Sequence, residues 1–415
     1  MRLGPFDVDA STSMNLVYTT NVDGVRKSDS ELEREDYYLV WTLRMIMSGP
    51  TTPASDLRVS TATSIEKHFV RDDLDTARDP FGDVLLTHNT EWGRLQLPTT
   101  LQFRRQNMQD DDGTTRIYFP GQRRERIVQD LRRFAQGANW QYEGVALNAS
   151  YDYRELRYQD EEFQVGDEDR QAMSFGAAYR FLQWRNRDAV RLFYRYERDR
   201  QDLINQPDAP GSGEWESEQA YGLGLNILVI DRPTLTYDLS RVKRSGQDWR
   251  TVHTFSLSDS WELSPVMQLD ASARYVIDEQ PDDDDITFIY SAGLAHEIGP
   301  TLRHAVRATR EPVDTFGSTA DTDRTRANYS ITKTDLFFAN VTFNGGVTWT
   351  RNKPQGPEAG PTEEITSYVA ALSHATAVSR RLDRNLTYRY RWSKSNLDDE
   401  PIYEHRVTLG FTFTF

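Results

Sequence analysis

The sequence predicts an all-β protein, a single transmembrane antiparallel up-and-down β-barrel of about twenty strands, within a range of about 18 to 22. Three observations predict it. The chain is polar overall yet rich in large rings, its segments alternate apolar and polar residues with period two, and its connections alternate between tight and long.

The first observation concerns composition. The 415 residues carry a formal charge of −15 and 12% aromatic residues, with 20 Tyr and 9 Trp, at a mean hydropathy of −0.70. No uninterrupted apolar run approaches the ~18 residues that a membrane-crossing helix needs, so a helical membrane protein is excluded. A soluble protein this polar lacks the core to bury so many rings. Strands with one lipid face and one wet face accommodate both facts. The competing reading is a large soluble propeller or solenoid, but no blade-like repeat of ~40 residues occurs.

The second observation is the period of two. Strands are expected near 6–21, 36–48, 55–69, 82–94, 96–109, 124–140, 144–158, 170–183, 187–200 and 216–230 in the first half. The second half continues near 233–244, 249–262, 265–278, 285–297, 301–311, 325–336, 338–352, 363–377, 382–395 and 402–415. In the seventh, Val145, Leu147, Ala149, Tyr151 and Tyr153 oppose Asn148, Ser150, Asp152 and Arg154. In the ninth, Val190, Leu192, Tyr194 and Tyr196 alternate with Arg191, Phe193, Arg195 and Glu197. In the thirteenth, Leu269, Ala271, Ala273 and Tyr275 alternate with Asp270, Ser272 and Arg274. In the nineteenth, Leu386, Tyr388, Tyr390 and Trp392 alternate with Thr387, Arg389 and Arg391. One face suits lipid; the other carries charge of both signs.

The third observation lies in the connections. Tight ones fall at 183–187, 230–233, 261–265, 297–300 and 379–383. Long acidic ones are expected at 23–36, 109–122, 159–169, 199–213, 278–285, 311–323 and 352–364. Short periplasmic turns at one rim and long extracellular loops at the other are the habit of outer-membrane barrels. An even strand number places both termini on the periplasmic side. Trp92, Trp140, Trp184 and Trp261 all fall at the expected turn rim, where amphipathic rings favour the membrane interface.

The final strand runs Val407, Leu409, Phe411, Phe413 and Phe415 on one face, with Thr408, Gly410, Thr412 and Thr414 on the other. An amphipathic last strand stopping on an aromatic residue resembles the C-terminal sorting signal of bacterial outer-membrane proteins, with Phe411, Phe413 and Phe415 as its apolar positions. That resemblance implies a Gram-negative outer membrane, recognition by the barrel-assembly machinery, and contact with outer-membrane lipid and lipopolysaccharide. The opening residues 1–6 lack a basic region, an apolar stretch and a cleavage site, so the export signal is expected to have been removed from this chain. One barrel domain over 1–415, with no plug or separate soluble domain, is expected.

Little in the sequence carries chemistry. Zero cysteine excludes disulfides, thiolate metal sites and covalent c-type haem attachment. Seven histidines, His68, His88, His253, His296, His304, His374 and His405, are scattered, and only His296 and His304 flank one turn closely enough to meet. No nucleophile is nominated, and neither a metal, a cofactor nor an enzymatic activity is expected. The acidic runs at 110–112 and 282–285 read as solvated loop tips, and the basic segment 122–126 is too short for nucleic acid.

The expected wet face matters more. Arg154, Arg180, Arg191, Arg195, Arg274, Arg303, Arg307, Arg389, Arg391 and Arg406 recur there with Asp152, Asp238, Asp270 and Glu197. Cross-strand pairing on a wet wall and guidance of a charged passenger both fit such a set, and the excess of arginine at mid-strand points to an anionic one. Sixteen to eighteen strands already leave an aqueous channel, so a wider barrel either conducts something or is filled by a periplasmic or lumen-filling protein partner. Export of a polymer, an anionic exopolysaccharide, is the leading expectation. The segment 13–23 resembles the start of barrels associated with exopolysaccharide systems. The alternatives are a passive solute porin and a sheath around a multihaem cytochrome. Barrels of the sheath family often carry an amino-terminal Cys-x-x-Cys, and this chain has no cysteine.

Overall fold

The computed structural model describes residues 2–20, 35–71, 74–76, 80–107, 128–159, 167–184, 187–204, 215–228, 234–244, 248–279, 284–313, 320–336, 339–354, 361–397 and 401–415. Twenty long strands pair with their sequence neighbours, all antiparallel, in one sheet. The sheet closes because the last strand pairs with the first long one, from Ser11 opposite Thr414 to Thr19 opposite Arg406. Closure removes the open edges that an antiparallel sheet would otherwise expose. A short strand β1, Arg2–Leu3, folds back on β2, Phe6–Thr19. It lies outside the sequence expectation because two residues cannot display a period.

Each expected strand is present, with shifted ends. Strands β3 (Asp36–Thr52), β4 (Ser55–His68), β5 (Phe81–Trp92), β6 (Leu95–Asn107), β7 (Val128–Tyr142) and β8 (Val145–Tyr158) form the first part of the wall. They are followed by β9 (Glu168–Trp184), β10 (Arg187–Leu203), β11 (Trp215–Leu228), β12 (Thr234–Arg244), β13 (Arg250–Ser264) and β14 (Met267–Glu279). The wall is completed by β15 (Asp284–Glu297), β16 (Leu302–Val313), β17 (Ala320–Leu336), β18 (Ala339–Pro354), β19 (Glu363–Ser379), β20 (Leu382–Ser395) and β21 (Ile402–Thr414).

Several expected loops are shortened by strands that run into them, including 278–285, where β14 reaches Glu279 and β15 starts at Asp284, and 352–364, where β18 reaches Pro354. Strand β10 continues to Leu203, into the expected loop 199–213, and β16 and β17 leave only 314–319 of the expected loop 311–323 between them. Every long strand except the 11-residue β12 exceeds the ~9–11 that cross a membrane, with β10 reaching 17 residues. The surplus carries charge on both faces, so the sequence reads there as loop while the backbone still pairs. The turn expected at 261–265 sits two residues later, at 265–266, because β13 runs to Ser264. The expected turn at 230–233, most of loops 23–36 and 109–122, and the runs 110–112, 122–126 and 282–283 lie outside the described residues.

The tight connections have local causes. Glu143 and Gly144 both adopt positive φ, 42° and 89°, the two-residue turn whose twist matches its flanking strands. A Cβ on Gly144 would stand 2.7 Å from the Arg180 carbonyl oxygen, so glycine is required where the turn meets β9. Arg180 N–H donates to the Gly144 carbonyl at 2.9 Å and fastens that contact.

Alternation assigns the two faces. Exposed large apolar side chains such as Met14, Trp41, Phe103, Phe175, Leu192, Tyr221, Phe288, Leu372 and Phe411 stay on one face through successive pairings, for example Met14 opposite Trp41 and Phe411. The side chains that are nearly all buried, among them Thr19, Asp36, His68, Glu168, Arg391, Ser393 and Glu404, stand on the other. In a closed sheet side chains converge on the concave side and splay on the convex side. The crowded polar face is therefore the inner one and the apolar face the outer.

Candidate functional site: the charged inner wall

The register brings the predicted charged residues onto the inner face together. Arg180 stands opposite Arg191, Arg154 opposite Arg170, and Arg389 opposite Arg406. Like charges opposite each other are destabilising, so neighbouring acids decide whether this wall can hold. Along β5 to β13 they do. Arg104 donates to Asp83 at 3.0 Å, Arg133 to Asp152 at 2.7 Å, Arg154 to Glu168 at 2.8 Å and Arg170 to Asp199 at 2.9 Å. The ladder continues with Arg191 to Asp238 at 2.9 Å and Arg195 to Glu218 at 2.9 Å. Glu197 lies 3.5 Å from Arg195, and Arg250 reaches the far oxygen of Glu218 at 3.7 Å.

The wall from β14 to β17 is built differently. Arg274, Arg303 and Arg307 are exposed to the inner space and Arg324 is half-buried. Among the described residues none of these four has an ion pair or a side-chain hydrogen bond to a partner. Arg307 faces Gly293 on one side and Asn328 on the other, so no acid lies directly across from it. Asp270 instead accepts from Gln268 at 3.2 Å. Arg303 stands opposite Glu297 in the ladder without reaching it.

At the long-loop rim the inner face carries buried charge that sequence reading missed. Glu404 accepts from Thr19 at 3.0 Å and from Arg406 at 2.8 Å, with Arg391 at 3.7 Å, across the closing strands. His68 Nδ1 and Asp36 Oδ2 are 2.5 Å apart, both essentially buried. Asp36 also accepts from the Val70 N–H at 3.0 Å, and the Tyr38 ring stacks on His68 at 4.6 Å. Beyond β4, Asp75 pairs with Lys67 and accepts from the His68 N–H at 2.6 Å. These two donors hold the Asp75 carboxyl below its ordinary range although burial works the other way. The missed residues had a usable signal, since Arg170, Asp199 and Glu404 continue the same alternation past the apolar band. Their partners depend on register.

The outer face shows its own order. Trp92 is 78% exposed at the end of β5; Trp140 and Trp261 are half-buried near the ends of β7 and β13. Trp184 closes β9, with its side chain outside the described set. Arg94, in the β5–β6 turn, lies 3.9 Å over the Tyr142 ring at the same rim. His296 and His304 meet at 3.0 Å on the outer face, with Tyr329 edge-on to His304. No group of three metal-binding side chains occurs among the described residues. Toward the long loops the outer face turns charged, and most of its cations have carboxylate partners. Arg105 and Asp130 are 3.8 Å apart, Arg132 and Glu155 3.3 Å, and Arg157 and Asp169 2.7 Å. Arg310 and Asp323 are 3.3 Å apart, and Arg351 and Glu364 3.7 Å.

No protein-family model matches the chain, and no curated protein matches it in sequence. Solved structures do resemble it. The siderophore receptor PirA from Acinetobacter baumannii is 8% identical, with 99% of this chain and 80% of the receptor covered at a TM-score of 0.52. A variant of the ferric enterobactin receptor PfeA from Pseudomonas aeruginosa is 10% identical over 98% of this chain and 80% of its own, also at 0.52. OccK5 from Pseudomonas aeruginosa is 11% identical over 99% and 98%, at 0.47. At such identities likeness concerns fold alone: the chain folds as a closed twenty-stranded antiparallel barrel, in the manner of outer-membrane β-barrel receptors.

Proposed function

We propose that this chain is a single-domain outer-membrane pore or conduit of a Gram-negative bacterium, and that its passenger is an anionic polymer such as an exopolysaccharide. The observation that carries the reading is the set of inner-wall arginines Arg274, Arg303, Arg307 and Arg324, which have no ion pair among the described residues while the β5–β13 wall is charge-compensated. Ion-paired arginines present little net field to a passenger. Arginines without a carboxylate on a wet wall keep theirs, and such charge selects anions in pores. The neighbours of Arg307, namely Gly293, Ala305, Asn328 and Gly346, are small or neutral, leaving room beside the guanidinium. Large rings that would stack on neutral sugars are few on this face: among the described residues Tyr38, Phe81, Tyr158 and Phe193 stand there. That favours charge over stacking as the means of recognition.

The test is single-channel conductance of the purified chain in a planar bilayer, with reversal potentials across a salt gradient. An anion-preferring pore blocked by added polygalacturonate supports the reading. An anion-preferring pore that the polymer leaves unblocked makes the chain a small-solute channel. A barrel that conducts only after a co-purified protein is stripped away makes it a sheath.

A further inference from the structure

Around the outer face, just above the apolar band, three cations stand together in one sector without the carboxylate partners that most of their counterparts have among the described residues. On β10 and β12 the outward cations Arg198, Arg241 and Lys243 have no carboxylate within ion-pair reach among the described residues. Their neighbours are rings. The Arg198 guanidinium lies 4.5 Å from the centre of Trp215, and Lys243 Nζ lies 6.0 Å from that of Trp249. Tyr221 meets Trp249 edge-on at 5.4 Å. A cation over a ring face keeps its charge available to an anion while its stem is fixed.

The register gathers these groups. Arg198 stands opposite Ser217 and Lys243 opposite Gln219, with Arg241 opposite Tyr221 one step nearer the membrane. The cations thus bracket the Ser217–Gln219 stretch of β11 from both sides, about two strand spacings or ~10 Å apart. Below them, past Tyr194, Tyr196 and Tyr221, the outer face continues apolar in register with Leu192, Leu223 and Leu239. A ligand seated here meets acyl-compatible surface at one end and positive charge at the other.

We infer that this sector binds the phosphorylated headgroup of a glycolipid in the outer leaflet. The guanidinium fork of arginine matches phosphate oxygens in pairs, and the ring level marks the headgroup zone of a membrane. A free anion would have no use for the leucine and tyrosine surface below, and an acidic protein would collide with the bilayer at that height. The inference rests on the outer face meeting a membrane.

The probe is bisphosphorylated lipid A, titrated onto the purified full-length chain in detergent and read by native mass spectrometry. The variant combines Arg198→Gln, Arg241→Gln and Lys243→Gln; the control combines Arg132→Gln and Arg157→Gln, whose parents are carboxylate-paired. The triple variant is expected to weaken lipid A binding at least tenfold and the control less than twofold. Dephosphorylated lipid A should not bind the parent chain, and inorganic phosphate should not displace the lipid. Unchanged binding by the triple variant, equal loss in the control, binding of the dephosphorylated lipid, or displacement by inorganic phosphate overturns the assignment. Should the triple variant not fold, Lys243→Gln alone must weaken binding at least threefold, and an unchanged affinity overturns it equally. Insertion into phosphatidylcholine vesicles separates the two layers of the argument. A chain that inserts but does not discriminate phosphorylation overturns the headgroup site alone, and one that inserts into no bilayer overturns the membrane reading with it.

Discussion

Arg191 reaches across the whole width of β11 to hold Asp238, donating to its two carboxylate oxygens at 3.0 and 2.9 Å. The strand between them offers Gly224, where a Cβ would stand 2.5 Å from both Arg191 Nε and Asp238 Oδ1. The bridge exists because that side chain is missing. Gly224→Val is therefore expected to lower stability by about 1–3 kcal/mol through overpacking. Asp238→Asn, which loses only a part-exposed ion pair, should change it by less than about 1 kcal/mol. Urea midpoints of the vesicle-inserted barrel measure both, and equal effects would remove the glycine's special role.

Selectivity should follow the arginines without carboxylate partners. Arg307→Glu reverses a charge that faces Gly293 and Asn328 and is expected to move the reversal potential toward cations. Arg133→Gln, whose parent is held by Asp152 at 2.7 Å, should move it far less. If both shift it alike, the contrast between the two halves of the wall has no bearing on conduction.

Asp36 and His68 form a buried couple near the long-loop rim. Removing one member strands the other away from water, which generally costs about 2–4 kcal/mol. Asp36→Ala also deprives the Val70 N–H of its acceptor. A lowered unfolding midpoint together with proteolytic nicking near residue 70 is the expected result, and an unaltered midpoint would show that the rim tolerates the loss.

How much of this was legible beforehand differs by feature. All twenty long strands follow from alternation, because an apolar face and a wet face impose opposite residue types at every second position. Where charge falls on both faces, as at Asp199, Arg200 and Asp202 or at Asp323, that contrast vanishes and the strand reads as loop. Arg191 and Glu197 could be placed on the wet face from spacing alone. That Arg191 selects Asp238 two strands away, or that Asp36 finds His68, depends on register and on which neighbour lacks a side chain, and period two carries neither. The cations of β10 and β12 were hidden for the same reason: their distinction is that no carboxylate lies within ion-pair reach of them among the described residues, and that too depends on register.

Asp75 supplies the pH dependence of the β4–β5 connection. Its carboxyl is held below the ordinary range by donors from Lys67 and the His68 N–H, against the effect of burial. A depressed carboxyl contributes stability that is present above its unfolded pKa and lost as pH falls through the folded one. Hydrogen-exchange protection at residues 66–76, relative to the intrinsic rate at each pH, should thus be high at neutral pH and fall as the solution is acidified below about pH 4. In Asp75→Asn that protection should be low throughout and insensitive to acid over that range.

The aromatic end of β21 is open to a direct assembly test. Phe413 and Phe415 meet edge-on at 5.0 Å, and the Phe415 N–H donates to the Ala10 carbonyl at 3.0 Å. If these rings serve as a sorting signal, Phe415→Ala should reduce the amount of folded barrel in cell envelopes several-fold while leaving its urea midpoint within about 0.5 kcal/mol. A proportionate fall in both would mark the residue as structural only.

Thr19 and Glu404 touch across the closing strands although 385 residues separate them in the chain. Every other pairing in the wall joins strands that follow one another, so most of the sheet can zip locally, hairpin by hairpin. The last pairing cannot, since it must await the arrival of the opposite end of the polypeptide. Until then the sheet is a curled ribbon with two bare margins, able to recruit a foreign strand or a second copy. The cluster at Glu404 is thus a clasp on the one seam that joins the two ends of the polypeptide.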